Sequence, residues 1–137
     1  PIGTRAGYEV MSIFDEERKE LESEIARKGA KFLDGLKALE KKYKNIGTVN
    51  GLGFALSVEV TESDRFTPAR ELCDEIIEAG LKGDLTYKGK KCGLILNNGG
   101  YFKNIITLVP QLYISDEEID MALELMDQLF DRYMEKA

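Results

Sequence analysis

Residues 105–120, IITLVPQLYISDEEID, show the sharpest change of predicted structure in the chain. Four of the five residues 105–109 are apolar, as is typical of a buried strand, and Pro110 ends the run because proline has no backbone N–H to donate to a sheet. Ser115 and Glu118 have the spacing of a capping box, in which each side chain accepts from the other residue's backbone N–H. The stretch therefore predicts a buried strand, a turn and a capped helix.

Two amphipathic helices are predicted, one near each end of the chain. The first covers 15–43 and the last covers 116–135, because apolar residues recur mostly three, four or seven positions apart. In the first helix Asp15, Glu16 and Glu17 fall in the opening turn, where negative charge complements the helix dipole. The residues expected to face the core are Leu21, Ile25, Phe32, Leu36 and Leu39 in the first helix, and Leu123, Met126, Leu129, Phe130 and Tyr133 in the last.

The segment before the first helix, residues 2–13, mixes small residues with larger ones, which lets another element pack closely. After the helix, Asn45 and Gly47 are expected to end it. The chain starts at Pro1 rather than at a methionine, so we expect it to be a piece of a longer polypeptide.

The middle of the chain predicts two strands followed by a helix. In IGTVNGLGFALSVEV, residues 46–60, the second apolar segment alternates with polar residues, so one face of that strand should be buried. Gly51 and Gly53 indicate a turn, a bulge or a close backbone approach. Thr67 and Pro68 then predict the N-cap and first position of a second helix, which Gly80 should end.

Residues 82–93 are rich in glycine and lysine and predict an exposed excursion, with a hairpin turn at Lys88-Gly89. Its lysines, Lys82, Lys88, Lys90 and Lys91, could capture an anion, but a solvated loop is the interpretation we favour. A short strand is predicted over 94–96, followed by a turn over 97–100. That turn could be a plain hairpin or a nest of backbone N–H groups for an anion.

Composition excludes several classes of function. The chain has 137 residues, 43% apolar and 32% charged, as expected for one globular domain, and its net charge of −6 argues against a nucleic-acid surface. No run approaches the roughly 18 apolar residues of a membrane span, and no signal peptide opens the chain, so we expect a cytoplasmic protein.

Catalytic chemistry is also restricted by composition. Histidine is absent, which excludes Ser-His-Asp and Cys-His nucleophiles and histidine-containing zinc sites. Cys73 and Cys92 are too few for a disulfide framework and are expected to be reduced thiols with a structural role. The carboxylates are scattered over helix faces, so no catalytic residue, cofactor-binding residue or metal ligand is predicted from the residues themselves.

The order of elements is helix, strand, strand, helix, strand, strand, helix. It predicts an α+β two-layer sandwich, with a small, mostly antiparallel sheet, helices packed on one face and a long N-terminal helix.

Read from end to end, the chain resembles the C-terminal small domain of class III (ω-type) aminotransferases, which are fold-type I enzymes. Pro1-Ile2, followed by Ala6 and Gly7, resembles the family's N-P-L and its Ala-rich helix. The stretch VNGLGFALSVEV resembles V-R-G-x-G followed by I/V-E, with Asn50 where arginine is usual. The ending ITLVPQLYISDEEID resembles I-R-x-x-P-P-L-x-I-S/T-x-E-E, with Thr107 where arginine is usual and Gln111 where a second proline is common.

The resemblance implies a role in a larger enzyme. The whole of 1–137 would be the small domain, and the catalytic large domain, with the Schiff-base lysine and most contacts to pyridoxal phosphate, would lie outside this chain. Pyridoxal phosphate would be the cofactor of the parent enzyme, with none bound to this fragment alone. The parent, usually a homodimer, would transfer an amino group from an amino acid or ω-amine donor to a 2-oxo acid.

The same resemblance indicates which residues approach the substrate. They are Thr107, Asn50 and Gly51; in relatives an arginine at the position of Thr107 often binds a substrate carboxylate. A second interpretation is a stand-alone regulatory module of ACT or ferredoxin-like type that binds a small molecule. Its α+β order fits, whereas a first helix of about 30 residues is long for that fold.

Overall fold

A computed structural model describes residues 2–137, and Pro1, part of the N-P-L resemblance, lies outside the described residues. Residues 2–137 form three helices and six strands, which confirms the predicted α+β class, with four strands between the second and third helices where two were predicted. Their bounds are α1 Ile2–Lys42, β1 Ile46–Leu52, β2 Ala55–Val60, α2 Arg70–Leu81, β3 Leu85–Tyr87, β4 Lys90–Cys92, β5 Asn97–Gly99, β6 Ile105–Leu108 and α3 Asp116–Tyr133.

Four strands form an antiparallel sheet in the order β1-β2-β6-β5, and β3 pairs with β4 in a separate hairpin. The predicted alternation of β2 is confirmed, since Leu56, Val58 and Val60 are buried while the residues between them are not. A bulge between Ile46 and Val49 shifts the pairing of β1 with β2 by one residue.

The core lies between the inner face of this sheet and the helices. Tyr43, at the end of α1, is fully buried and packs edge-on against Phe130 of α3, with ring centroids 5.9 Å apart. The Tyr43 hydroxyl donates a hydrogen bond to Asp127 Oδ1 at 2.7 Å, so the hydroxyl has a hydrogen-bond partner although the residue is buried. Among residues 2–137, no helix is long and apolar enough to cross a membrane.

The first helix is longer than predicted. It runs without a break from Ile2, so Asp15, Glu16 and Glu17 lie in its interior, and the predicted effect of their charge on the helix dipole is wrong. Residues 2–13 contain no proline, and Gly3 and Gly7 weaken a helix by only about 1 kcal/mol each. The helix ends at Lys42, just before Asn45, while Gly47 is part of β1.

The predicted start of the second helix is wrong. Its N-cap is Ala69, without a side-chain hydrogen bond, because Thr67 is held elsewhere. Asp64 accepts from the Thr67 hydroxyl at 2.6 Å and from the Thr67 backbone N–H at 2.8 Å, while Pro68 bridges to Thr61. A local turn around Asp64 thus competes for the residue that would have capped the helix.

The segment 94–100 also differs from its prediction. Gly80 lies inside α2, and its carbonyl accepts from the N–H of Leu94 at 2.8 Å, so 94–96 is tied to the helix and forms no strand. The strand is Asn97–Gly99 instead, which overturns both the turn and the anion nest proposed for 97–100. Two other local predictions are confirmed: the hairpin at Lys88-Gly89 has φ values of 48° and 77°, and Ser115 and Glu118 form the capping box.

Candidate functional site

Four polar residues lie side by side across the sheet, on the face opposite the core. Asn50 of β1 pairs with Ser57 of β2, Ser57 pairs with Thr107 of β6, and Thr107 pairs with Asn97 of β5. Their neighbours Val49, Val58 and Ile106 are buried on the inner face, so strand alternation turns these four outward. We call Asn50, Ser57, Thr107 and Asn97 the polar row.

The three residues that the sequence indicated, Thr107, Asn50 and Gly51, meet in one shallow depression of about 370 Å³ on this outer face. Position 51 has no room for a side chain, because a Cβ atom there would stand 2.3 Å from the Leu56 side chain and 2.9 Å from the Ala55 carbonyl oxygen. The depression is lined by Asn50, Gly51, Ala55, Leu56, Ser57, Thr107 and Val109.

Sequence reasoning missed two members of the polar row. Ser57 had a usable signal, since the alternation of β2 already placed it opposite the buried Leu56 and Val58. Asn97 had none: it was expected in a turn, and only its pairing with Thr107 in the sheet brings the two residues together. Pairing register between distant strands cannot be read from a single sequence.

Large apolar side chains border the polar row. Leu52 of β1 is 88% exposed, and Val109, just after β6, is 73% exposed. Each lies two residues along the chain from a member of the row, Asn50 and Thr107 respectively, and therefore on the same side of the sheet. The outer face thus presents a polar strip beside an apolar one, a composition typical of a binding surface.

The outer face of the four strands, all of which the structure describes, carries one charge, that of Glu59. Glu59 lies two residues from Ser57 on β2 and pairs with Ile105. The four strands contain no lysine and no arginine. The four strands offer no lysine for the aldehyde of pyridoxal phosphate and no cation for its phosphate, so this face does not form a site for that cofactor.

The other reactive groups lie away from the polar row. Burial raises the pKa of the Cys73 thiol to about 11, which leaves it protonated and unreactive near neutral pH. No group of three or more potential metal ligands was found within residues 2–137.

The lysines of the hairpin, considered as an anion site, are partly engaged. Lys88 Nζ is 2.5 Å from Glu117 Oε1, a contact that raises the pKa of Lys88, and it lies 5.3 Å from the centroid of the Tyr87 ring. The hairpin is fixed to α3 by this pair and by Gln128, whose amide bonds both backbone groups of Thr86. These contacts identify the hairpin as a docked structural element.

Comparison with known proteins identifies the family of this chain. The family model for class III aminotransferases matches residues 1–130. The chain is 33% identical over 132 residues to the 4-aminobutyrate aminotransferase GabT of Escherichia coli (strain K12), covering 96% of this chain and 28% of that protein. It is 31% identical to the 5-aminovalerate aminotransferase DavT of Pseudomonas putida, covering 95% of this chain and 28% of that protein.

Solved structures agree in fold. A phospholyase from Arthrobacter, solved in complex with phosphoethanolamine, superimposes with a TM-score of 0.77 at 23% identity, covering 96% of this chain and 29% of that one. A Bacillus anthracis aminotransferase superimposes with a TM-score of 0.72 at 23% identity, covering 88% of this chain and 26% of that one. The chain therefore spans a little over a quarter of the length of each of these four proteins. The family match leaves the ACT or ferredoxin-like interpretation without support. The chain belongs to the class III aminotransferase family.

Proposed function

We propose that residues 1–137 are the C-terminal small domain of a pyridoxal-phosphate-dependent transaminase, and that its outer sheet face covers the active site. The parent enzyme transfers an amino group from an amino acid or ω-amine donor to a 2-oxo acid. The family match supports the reaction class, and the share of the relatives' length that is covered supports a further, catalytic domain outside these residues.

The observation that carries this proposal is the bare outer face of the sheet. Its inner face is covered by helices, whereas Leu52 and Val109 on the outer side are almost fully exposed beside the polar row. Leaving such apolar side chains in water forgoes burial worth about 1.5–3 kcal/mol each. In our proposal the large domain covers this strip, while the polar row contacts the substrate held between the two domains.

Within this arrangement the chain orients substrate and excludes water, and the cofactor supplies the chemistry of amino transfer when bound to the large domain. Thr107, Asn50 and Ser57 offer hydroxyl and amide groups to the substrate at the depression. A homodimer is the assembly we propose for the parent, by analogy with the family.

The proposal is tested by comparing the isolated 137-residue chain with the full-length protein that contains it. Both are incubated with pyridoxal phosphate and reduced with borohydride, and any modified lysine is located by peptide mass spectrometry. We expect stoichiometric labelling of one lysine outside residues 1–137 in the full-length protein, together with amino transfer to 2-oxoglutarate or pyruvate. Stoichiometric labelling of one lysine in the isolated chain would contradict the proposal.

A further inference from the structure

The polar row combines hydrogen-bond donors and acceptors without a charge of its own. It contains two side-chain amides and two hydroxyls, on four strands that lie about 4.8 Å apart, so that it extends across roughly 14 Å. A small substrate can contact only two or three neighbouring members. The depression selects Asn50, Ser57 and Thr107, which line it together.

These groups have bonding capacity available for a ligand. The Ser57 hydroxyl makes one long hydrogen bond of 3.4 Å to the backbone carbonyl of Asn50. Within residues 2–137, neither the Asn50 amide nor the Thr107 hydroxyl forms a side-chain hydrogen bond. By contrast, the next amide along β5, that of Asn98, faces inward and donates to Asp74 at 2.7 Å. The backbones of Asn50, Ser57 and Thr107 are thus fixed by strand pairing, while their side-chain polar atoms can still bond a ligand.

The charge around the polar row opposes an anionic ligand. A carboxylate taken from water into this face would meet no cation on the four strands, and Glu59 lies two residues from Ser57 on the same side. Carboxylates also only accept hydrogen bonds, so a carboxylate could pair with the N–H and O–H donors of the depression but would leave its acceptor oxygens, such as that of the Asn50 amide, without a donor. A hydroxyl or a primary amide both donates and accepts and can satisfy both kinds of partner.

We infer that the depression at Asn50, Ser57 and Thr107 selects amino donors whose far end is uncharged and polar, such as a hydroxyl or a primary amide, over donors that end in a carboxylate. This inference rests on the proposed function, in which the outer face contacts the substrate. It names Ser57 as a specificity-determining residue together with Thr107.

The test uses the full-length holoenzyme with donors that share a four-carbon chain and one fixed 2-oxo acid. The donors are 4-aminobutanamide and 4-amino-1-butanol, which end in uncharged polar groups, 4-aminobutyrate, which ends in a carboxylate, and n-butylamine, which ends in a methyl group. We expect kcat/KM for the two uncharged polar donors to exceed that for 4-aminobutyrate by about tenfold or more, the effect of one hydrogen-bonded or repelled group.

Two variants separate recognition from folding. Thr107→Val keeps the shape of the side chain and removes the hydroxyl; we expect kcat/KM for 4-aminobutanamide to fall about fivefold to tenfold, mainly through KM, with n-butylamine unchanged. Thr107→Arg should reverse the order in favour of 4-aminobutyrate. Thr48→Val is the matched control, because Thr48 is exposed on β1 and does not line the depression, and it should leave all four donors unchanged.

The outcomes distinguish this inference from the proposed function. If the enzyme transfers amino groups but prefers 4-aminobutyrate, or if Thr107→Val slows all four donors equally, the inference is overturned and the proposed function stands. If the full-length protein transfers an amino group from no donor, the proposed function fails, and the inference fails with it.

Discussion

Gly29 of α1 lies directly against Gly53, in the turn that joins β1 to β2. A Cβ atom on Gly29 would stand 2.4 Å from the Gly53 carbonyl oxygen and 2.8 Å from its Cα atom. Both neighbours are backbone atoms, which cannot rotate away as a side chain would. The turn itself is fixed, since Gly53 has a φ of 55°, a conformation that glycine adopts without steric cost.

Gly29→Ala should therefore destabilise the chain by about 2 kcal/mol, measured as the free energy of unfolding in urea, because overpacking outweighs the gain in helix propensity. Gly3→Ala on the same helix is the control. A Cβ atom at Gly3 meets nothing within 4 Å, so this change should leave stability unchanged or raise it by up to about 1 kcal/mol. Equal stability of the two variants would show that the contact is not close.

Arg65 caps the end of α1, and its removal should weaken the fold. Its Nη2 donates to the carbonyl oxygens of Glu40 and Tyr43 at 2.7 and 3.1 Å, groups that have no partner within the helix. Arg65→Ala should lower the free energy of unfolding by about 1–2 kcal/mol.

The backbone of Arg65 allows a second test at the same position. Its φ of 65° is costly for a residue with a Cβ atom. Arg65→Gly loses the same hydrogen bonds but relieves this cost, so it should be more stable than Arg65→Ala by up to about 1 kcal/mol. If Arg65→Ala proves as stable as Arg65→Gly, the backbone at this position is not strained, however much the Arg65 hydrogen bonds contribute to stability.

Acid should destabilise the chain partly through Asp116. Hydrogen bonds from Arg27, at 2.9 and 3.1 Å, and the nearby Lys31 lower the pKa of Asp116 to about 2. Because the folded-state pKa lies below the unfolded value of about 3.9, the stabilisation is present above pH 4 and is lost as the pH falls through about 2.

Asp116→Asn removes this titration, so its melting temperature should fall less than that of the original chain between pH 5 and pH 2. Asp34→Asn is the control, since Asp34 is exposed on α1 and forms no ion pair within residues 2–137. Parallel pH profiles for the original chain and Asp116→Asn would disprove the role of the Arg27 pair.

Gln128 should control the opening of the β3–β4 hairpin. Its side chain accepts from the Thr86 N–H at 3.0 Å and donates to the Thr86 carbonyl at 2.7 Å, taking the place of a neighbouring strand. In Gln128→Ala, the Thr86 amide should exchange with deuterium about tenfold faster than in the original chain. Gln128→Glu keeps the acceptor oxygen, so its exchange rate at Thr86 should lie between those of the original chain and Gln128→Ala. Gln111→Ala, on an exposed loop, should leave exchange at Thr86 unchanged.

Features set by neighbouring residues were predictable from the sequence. The capping box at Ser115 needs only a partner three residues away, and the hairpin at Lys88-Gly89 is a local turn in which Gly89 adopts a positive φ without steric cost. The burial of alternate residues in β2 follows from its own pattern. Each of these signals lies within one turn or one strand, so little outside the segment could override it.

Errors arose where a distant or competing contact decided the outcome. Threonine is a common N-cap residue, but the Thr67 hydroxyl donates its hydrogen bond to Asp64 and does not cap the helix. Residues 94–96 have the composition of a strand, but the bond from Leu94 to Gly80 ties them to a helix. The polar row was only half predictable for the same reason, since Asn97 reaches Thr107 through the pairing of β5 with β6.

The bulge in β1 determines which of the following residues of that strand face the core and which face outward. Ile46 and Val49 both face the core although three positions separate them, and the extra residue is what sends Val49 inward and Asn50 outward. Removing one residue at Gly47 or Thr48 would leave Ile46 and Val49 two positions apart, so a regular strand without a bulge would bury both and keep the Asn50 amide outward. The bulge therefore accommodates one extra residue, and a strand one residue shorter at this point would present the same outward side chains.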